Sequence, residues 1–578
     1  MIKKYSNRKI ADIFYEIGQM LELVGENRFK TIAYENAAGI IKVYPEELYD
    51  IYHRDGLRGL TKINGIGESI ASKAEALITK GKLPFYEQLK KKVDPIALKL
   101  VGITGIGPQT ALELVRILKP KSLVDLKAKL KKERPGDNFG SKQIQNILTE
   151  LSERRHEKRY LLSEVEPIAQ RIVTWLLERP EVTQADPVGS LRRRKETIGD
   201  IDLVCASKNR KATVEAFTQA GFTERIVVAG LGLTTIVHES GFQVDLELVE
   251  PADYGALLQH FTGGKEHNVA LRTWAQTKGW TLSEKGIENI KTGRTKRFKS
   301  EKSFYKALGM KWMPAELREN RGEIEAALAD ELPRLVDKND IVADLHMHTD
   351  ASDGKLSLEE MAEAAYKNGY EYIAITDHSQ GAGRGLGPRQ LVKHIEKIKK
   401  LDQKYKQKKF RILAGVEANI RPDGTIDVAD KILKEFDWVI ASIHSSFRFS
   451  PSVMTKRLVK AIENPYVDCI GHPATRKLLS RESINVNWAT IYETAAKAKT
   501  LLEINADPHR LDLADTRIQA AKESGVKFAI NTDAHAASDF EYLSYGLAMA
   551  RRGWLEKKDV VNTKSYQDFS NWLKIRRS

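Results

Sequence analysis

Beyond residue 340 the chain repeats one pattern seven times, a short apolar run followed by an amphipathic helical stretch, and this alternation leaves few folds open to it. The runs lie near 341–348, 372–378, 411–417, 437–444, 467–472, 500–505 and 526–533. Strands separated by helices run parallel, because each helix carries the chain back to the starting end of the sheet. Seven of them predict a parallel sheet, closed or nearly closed into a barrel, with its chemistry at the carboxyl ends of the strands.

The residues at those ends are polar. In Asp344-Leu345-His346-Met347-His348-Thr349, strand alternation puts His346 and His348 on one face and turns Leu345 and Met347 toward the core. Asp533 and His535 share a face in the same way. His378, Glu417, His444 and His472 each close an apolar run, and Asp353 follows in a Ser-Asp-Gly turn. One buried histidine is usually satisfied by packing, but six with two aspartates and a glutamate at successive strand ends are not explained that way. Imidazole with carboxylate is the ligand set of zinc, manganese or iron, so a multinuclear metal site is expected. Nearby, His394, His509 and Cys469 read as surface or packing residues, and Arg384 and Arg421 read equally as phosphate contacts or solvated surface.

A length of 578 residues exceeds what one hydrophobic core supports, so several domains are expected. Apolar residues at 42% and charged residues at 30% suit a soluble protein, and no stretch approaches a membrane span. The N-terminus lacks the apolar core of a signal peptide. Two cysteines, Cys205 and Cys469, exclude a disulfide framework and point to a reducing cytoplasm. The formal charge of +15 favours phosphate polyanions without specifying one.

Residues 8–50 carry helical periodicity, and two similar segments follow about forty residues apart. Each joins two helices through a Gly-Ile-Gly turn, Gly65-Ile66-Gly67 and Gly105-Ile106-Gly107. The glycines permit close approach of a backbone, and the unpaired N–H groups opening the second helix favour an anion. Such contacts grip phosphate and read no base. Both segments resemble the helix-hairpin-helix motif.

From about 185 the texture changes to strands. In Ile198-Gly199-Asp200-Ile201-Asp202-Leu203, a strand from Ile198 to Ala206 puts Asp200 and Asp202 on one face and Ile201 and Leu203 in the core. Asp245 lies on a second strand, Gln243 to Val249. Adjacent carboxylates repel unless a cation neutralises them, and three from two strands suit divalent metals that also bind substrate phosphate. Upstream, Gly189-Ser190-Leu191-Arg192-Arg193 is a small, basic turn suited to a triphosphate.

That combination resembles the nucleotidyltransferases and, more specifically, residues 1–320 resemble a family X DNA polymerase of the polymerase beta type. The resemblance implies that Asp200, Asp202 and Asp245 are catalytic and bind magnesium or manganese, with Asp245 deprotonating the primer hydroxyl. Gly189, Ser190 and Arg193 would hold the triphosphate. His260-Phe261-Thr262-Gly263 matches the family's Tyr-Phe-Thr-Gly beside the incoming sugar, Asn268 its base-contacting Asn, and Arg272 its template-contacting Arg. Two departures stand out: His260 replaces the Tyr, which bears on ribose discrimination, and Gln243-Val244 replaces an Arg often found before the third Asp. Lys73 matches the lyase Lys, although Ser69 stands where the family has a basic residue; a phosphate contact is the alternative role.

Beyond residue 340 the order His-x-His, Asp, His, Glu, His, His, Asp-x-His resembles the polymerase and histidinol phosphatase (PHP) domain. A trinuclear site of zinc, manganese or iron is implied, with Glu417 bridging and His444 and His472 sharing one metal. The expected fold is multidomain α+β: a helical N-terminal domain (1–85), fingers-like helices (86–155), a mixed-sheet palm (156–250), a thumb (251–325), a linker (326–340) and a (β/α)7 TIM-like barrel (341–578). The implied activity is gap-filling synthesis in base excision repair joined to 3′–5′ exonuclease action, with cleavage at abasic sites a further expectation. The implied partners are gapped or primed double-stranded DNA and deoxynucleoside triphosphates, with a monovalent cation at the helix-hairpin-helix turns. A monomer is expected. Two other readings are a small-molecule phosphatase with a DNA-binding appendage and a non-catalytic scaffold for DNA ends.

Overall fold

The computed structural model describes residues 7–44, 47–63, 65–101, 108–120, 125–126, 129–130, 144, 148, 159–381 and 383–577. The chain divides into two compact units, Met1–Glu157 and Lys158–Ser578.

The first unit is helical. In Asn7–Leu23 the spacing of Ile10, Phe14, Ile17 and Leu21 makes one apolar face, and all four are buried against Ala37, Ile41, Leu60 and Ala74 of later helices. The Asn27 side chain caps Arg28–Val43 by accepting from the Phe29 N–H at 2.9 Å. Leu48–Thr61 and Glu68–Lys80 flank the first Gly-Ile-Gly turn. Pro95–Val101 and Pro108–Leu118 flank the second, whose Gly105 and Gly107 lie outside the described residues.

The second unit opens on a mixed five-stranded sheet, ordered Val182–Pro187, Ile201–Ser207, Gln243–Val249, Leu233–His238, Thr223–Ala229. Ile201–Ser207 and Gln243–Val249 pair in parallel and the other neighbours antiparallel. Alternate residues Ile201, Leu203, Val244 and Leu246 are buried with Val165, Ile172 and Leu176 of the helix Leu162–Leu177. The strand expected to run unbroken from Ile198 is interrupted: Thr197–Ile198 pairs with Tyr160–Leu161, and Gly199 and Asp200 form a bend before Ile201. Next come the helices Tyr254–Thr262 and Lys265–Thr277 and a three-stranded meander, Trp280–Ser283, Gly286–Asn289 and Thr295–Lys296, which packs with Glu301–Ala307 around Leu271, Phe304 and Met313. Residues 326–340 hold the end of Glu323–Ala329, the buried Val336 and the turn Lys338–Asp340.

The seven expected strands form one parallel sheet in sequence order: Ala343–Asp344, Tyr372–Ile375, Arg411–Asn419, Trp438–Ser442, Cys469–Ile470, Leu501–Asn505 and Phe528–Asn531. Met347 bridges Ala534, and the His348 N–H donates to the Ala534 carbonyl at 2.8 Å, so the sheet nearly closes into a barrel. Ile373, Leu502 and Ile530 pack outward under the helices, whereas Leu345, Leu413, Ile440 and Leu501 fill the interior. Phe569, on the helix Tyr566–Arg577, packs on Tyr372 and Trp438 at the amino ends of their strands, leaving the carboxyl ends for chemistry. Among the described residues no helix is long and apolar enough to cross a membrane.

Candidate active sites

At the carboxyl ends of the barrel strands the structure brings together all nine residues singled out in the sequence. His348, Asp353, His378 and His535 form one candidate cation group; His346, His348 and Asp533 a second; His378, Glu417 and His444 a third. Within each group the ligand atoms lie within 4.8 Å of one another. Glu417, 1% exposed, ties them together: its Oε1 lies 3.2 Å from His444 Nε2 and 3.1 Å from His472 Nε2, and its Oε2 lies 2.7 Å from His378 Nδ1 and 3.6 Å from His346 Nε2.

The electrostatics follow from burial against crowding. Burial opposes protonation of His346, but Glu503, Asp533 and Glu417 outweigh it and hold its pKa well above the ordinary range. For His348 burial prevails, with His378 adding to it, and the pKa falls to about 4. Burial raises the pKa of Glu417, yet His444, His378 and His346 bring it well below the usual carboxylate range. Among the described residues, His346 Nε2 and His348 Nδ1 are buried with no hydrogen-bond partner. Unpaired imidazole nitrogens facing carboxylates fit divalent cations, so the residues present suit the metals expected.

Three neighbours were not anticipated. Glu503 accepts at Oε1 from His346 Nδ1 (2.7 Å) and Asn531 Nδ2 (2.9 Å), and at Oε2 from the His472 N–H (2.6 Å) and Asn505 Nδ2 (3.1 Å). It therefore fixes the orientation of His346 and leaves Nε2 for the cluster centre. Asn419 holds His444 Nδ1 at 2.6 Å. Asp377 binds His394 Nε2 at 2.8 Å and the Ser352 hydroxyl at 2.5 Å, which pins the loop bearing Asp353. The signal for Glu503 was a charged residue alternating with apolar ones inside a strand. Of the residues set aside in the sequence, His394 and Cys469 are buried and His509 pairs with Asp507 at 3.0 Å. Arg421 donates to the Ile426 and Asp427 carbonyls, each at 3.1 Å.

In the palm, Asp200, Asp202 and Asp245 offer carboxylate oxygens within 4.8 Å of one another. Asp202 and Asp245 stand directly opposite in the parallel register. Gln243 Nε2 donates to Asp245 Oδ2 at 2.9 Å, while the buried Asp245 Oδ1 has no hydrogen-bond partner among the described residues, which suits a cation there too. Gly189–Arg192 is a single helical turn beside them. The Val188 N–H donates to the Asp202 carbonyl at 2.9 Å, and Gly189 has φ 59°, with a Cβ at that position falling on the Asp202 carboxylate. The site therefore demands glycine there.

Arg192 forks onto Glu301 at 2.8 and 3.0 Å; Arg193 donates to Glu319 Oε1 at 3.0 Å and to the Thr262 carbonyl at 2.8 Å. His260 and Phe261 close the helix Tyr254–Thr262, and burial, with Arg272 adding and Glu284 opposing, lowers the pKa of His260. Asn268 Nδ2 donates to the carbonyls of His260 (2.8 Å) and Gly263 (3.2 Å), so its amide holds the turn; Arg272 donates to the Asn268 carbonyl at 3.1 Å.

In the first unit, Gly65 has φ 87° and Gly67 caps the helix Glu68–Lys80. Lys73 Nζ donates to the Ser69 hydroxyl at 2.8 Å and lies 5.7 Å from the Tyr34 ring and 5.6 Å from the Phe85 ring. It lines a cavity of about 1020 Å³ with Lys30, Tyr34, Gly65 and Gly67. Burial, with Lys30 adding to it, lowers its pKa.

Three family models match the sequence: a helix-hairpin-helix domain over residues 5–83, a DNA polymerase beta thumb over 257–319 and a PHP domain over 344–507. The chain is 34% identical over 574 residues to the DNA polymerase/3′-5′ exonuclease PolX of Bacillus subtilis (strain 168), covering 98% of this chain and 99% of that protein. It belongs to the bacterial family X DNA polymerases with a C-terminal PHP domain. Other relatives match about two fifths of this chain. A probable phosphatase of Caldanaerobacter subterraneus subsp. tengcongensis is 35% identical over 249 residues, 41% of this chain and 92% of that protein. One from Thermoanaerobacter sp. (strain X514) is 32% identical over 235 residues, 39% of this chain and 91% of that protein.

Proposed function

We propose that this chain is a template-directed DNA polymerase that fills short gaps in base excision repair and trims 3′ ends in its PHP barrel. The observation that carries the reading is the pairing, in one compact unit, of a three-aspartate centre beside a Gly-Ser-Arg turn with a six-histidine centre at a barrel mouth. Magnesium or manganese held by Asp200, Asp202 and Asp245, and up to three ions of zinc, manganese or iron held by the barrel residues, would supply charge neutralisation and Lewis acidity at phosphate.

The chain's own groups do the rest. Asp245 takes the primer hydroxyl proton on its unpaired Oδ1. Gly189, Ser190 and Arg193 orient the triphosphate. His260, Phe261 and Gly263 bound the sugar pocket, with Asn268 at the base and Arg272 at the template. Gly65, Gly67, Gly105 and Gly107 let the DNA backbone approach helix N-termini, with a monovalent cation at those turns. The barrel residues orient a 3′-terminal phosphodiester and exclude other polar groups from it. The proposed partners are gapped DNA and deoxynucleoside triphosphates, with the enzyme acting as a monomer in the cytoplasm.

Separating the centres tests this reading. Asp200→Ala with Asp202→Ala is expected to abolish nucleotide incorporation on a gapped substrate and spare 3′-end degradation. His346→Ala is expected to do the reverse. Loss of both activities in both folded variants refutes it. Hydrolysis of histidinol phosphate in preference to 3′-recessed DNA favours the phosphatase reading instead.

The depressed Lys73 amine beside a cavity favours an added abasic-site lyase activity in the first unit. Borohydride should trap the protein on a 5′-deoxyribose phosphate end, and failure to trap refutes that role.

A further inference from the structure

Among the buried side chains of the PHP barrel that reach the polymerase portion, one meets the triphosphate turn itself. Arg552 ends the helix Leu543–Arg552 of the barrel and is 2% exposed. Its Nη1 donates to the carbonyl of Arg193 at 2.7 Å and to Glu319 Oε1 at 3.0 Å. Its Nη2 donates to the same Glu319 oxygen at 3.1 Å and to Asp515 Oδ2 of the barrel at 2.5 Å. Arg193 Nε also binds that Glu319 oxygen, at 3.0 Å, and Arg321 binds Asp515 Oδ2 at 2.7 Å.

One Glu319 oxygen therefore holds two guanidinium groups side by side. A third cation, Lys195 Nζ, lies 3.9 Å from it. Two carboxylates face Arg193, Arg321, Arg552 and Lys195, so the cluster carries a positive surplus next to the turn Gly189–Arg192. Such a surplus in a partly dry setting favours an anion at the turn. Glu319 also packs on Gly264, where a Cβ would come within 3.1 Å of Oε2, so its position is coupled to the segment beside the sugar pocket.

We propose that Arg552 is a positioning residue for nucleotidyl transfer: a side chain of the PHP barrel sets the conformation of the triphosphate turn by holding the Arg193 carbonyl and the carboxylate that anchors the Arg193 guanidinium. The proposal rests on the reading of that turn given above. It makes the barrel part of the polymerase's nucleotide pocket as well as a separate catalytic centre. A fork of planar donors is needed to meet the Arg193 carbonyl, Glu319 and Asp515 together, which a single ammonium does poorly.

The full-length protein serves for the test. Single-nucleotide gap filling is measured for Arg552→Gln, Arg552→Lys and Arg193→Gln, with KM for the nucleotide separated from kcat, and 3′-end degradation is followed in parallel. Arg552→Gln is expected to raise the nucleotide KM by about tenfold, with degradation within about twofold of the parent. Arg552→Lys is expected to fall between them. If Arg193→Gln raises KM and Arg552→Gln does not, the proposal is overturned while the triphosphate reading stands. If neither variant changes KM, both fall. A parallel loss of synthesis, degradation and thermal stability in Arg552→Gln marks a structural brace between domains and also overturns the proposal.

Discussion

Replacing Glu301 by glutamine is a measurable test of how the palm is fastened to the thumb. The carboxylate is 4% exposed and accepts from Arg192 at 2.8 and 3.0 Å, from Trp312 Nε1 at 2.8 Å, and from Arg318. Arg318 is fully buried, its remaining donors directed at the Met313 carbonyl at 3.0 and 2.7 Å. Burial opposes ionisation of Glu301, but Arg318 and Arg192 outweigh it and bring its pKa from an ordinary 4.5 to about 2. At 1.36 kcal/mol per tenfold, that depression is worth about 3 kcal/mol at neutral pH, which agrees with the roughly 3–5 kcal/mol expected when one partner of a buried ion pair is removed.

Because the folded pKa is the lower one, this stability is fully present above pH 4.5 and fades as pH falls toward 2. Glu301→Gln is therefore expected to cost about 3 kcal/mol at pH 7 and only about 2 kcal/mol near pH 3.5. Urea titration followed by tryptophan fluorescence reads this directly, since Trp312 contacts the substituted group. A cost below about 1 kcal/mol at pH 7, or one unchanged on acidification, refutes the reasoning.

Three other outcomes are expected. Glu503→Gln, which weakens the carboxylate orienting His346, should lower metal affinity by about 10- to 100-fold in competition with a chromophoric chelator; unchanged affinity makes Glu503 ordinary packing. Gly189→Ala combines a left-handed backbone with a methyl on the Asp202 carboxylate and should lower nucleotide incorporation at least about 100-fold while 3′-end degradation persists; near-normal incorporation contradicts the geometry of the turn. Prolonged chelation should lower the melting temperature of the parent protein, and by less in His346→Ala; equal sensitivity places the stabilising metal elsewhere.

Much of this was legible because period and chemistry coincide. The seven apolar runs became seven strands in sequence order, since alternation of apolar and helical segments admits one simple sheet connectivity. The nine barrel residues converge because they lie at or just past the carboxyl ends of six strands that share one rim. Less visible was Glu503, a carboxylate in Leu502-Glu503-Ile504 whose two apolar neighbours turn outward while it points into the barrel. Arg552 left no local sign at all. A basic residue closing a helix is ordinary, and its partner Glu319 lies 233 residues away. The bend at Gly199–Asp200 was missed because alternation describes side-chain faces and is silent on where backbone pairing lapses.

The register of Asp202 against Asp245 has a consequence for control. Neighbouring strands lie about 4.8 Å apart wherever a ladder of peptide hydrogen bonds joins them. The gap between these two acids is therefore ruled by the backbone of the sheet core and resists tuning by a domain closing overhead. Evolution or an effector wishing to throttle synthesis has to work on the opposite side of the pocket, through the glycine turn or the segments that lean on it.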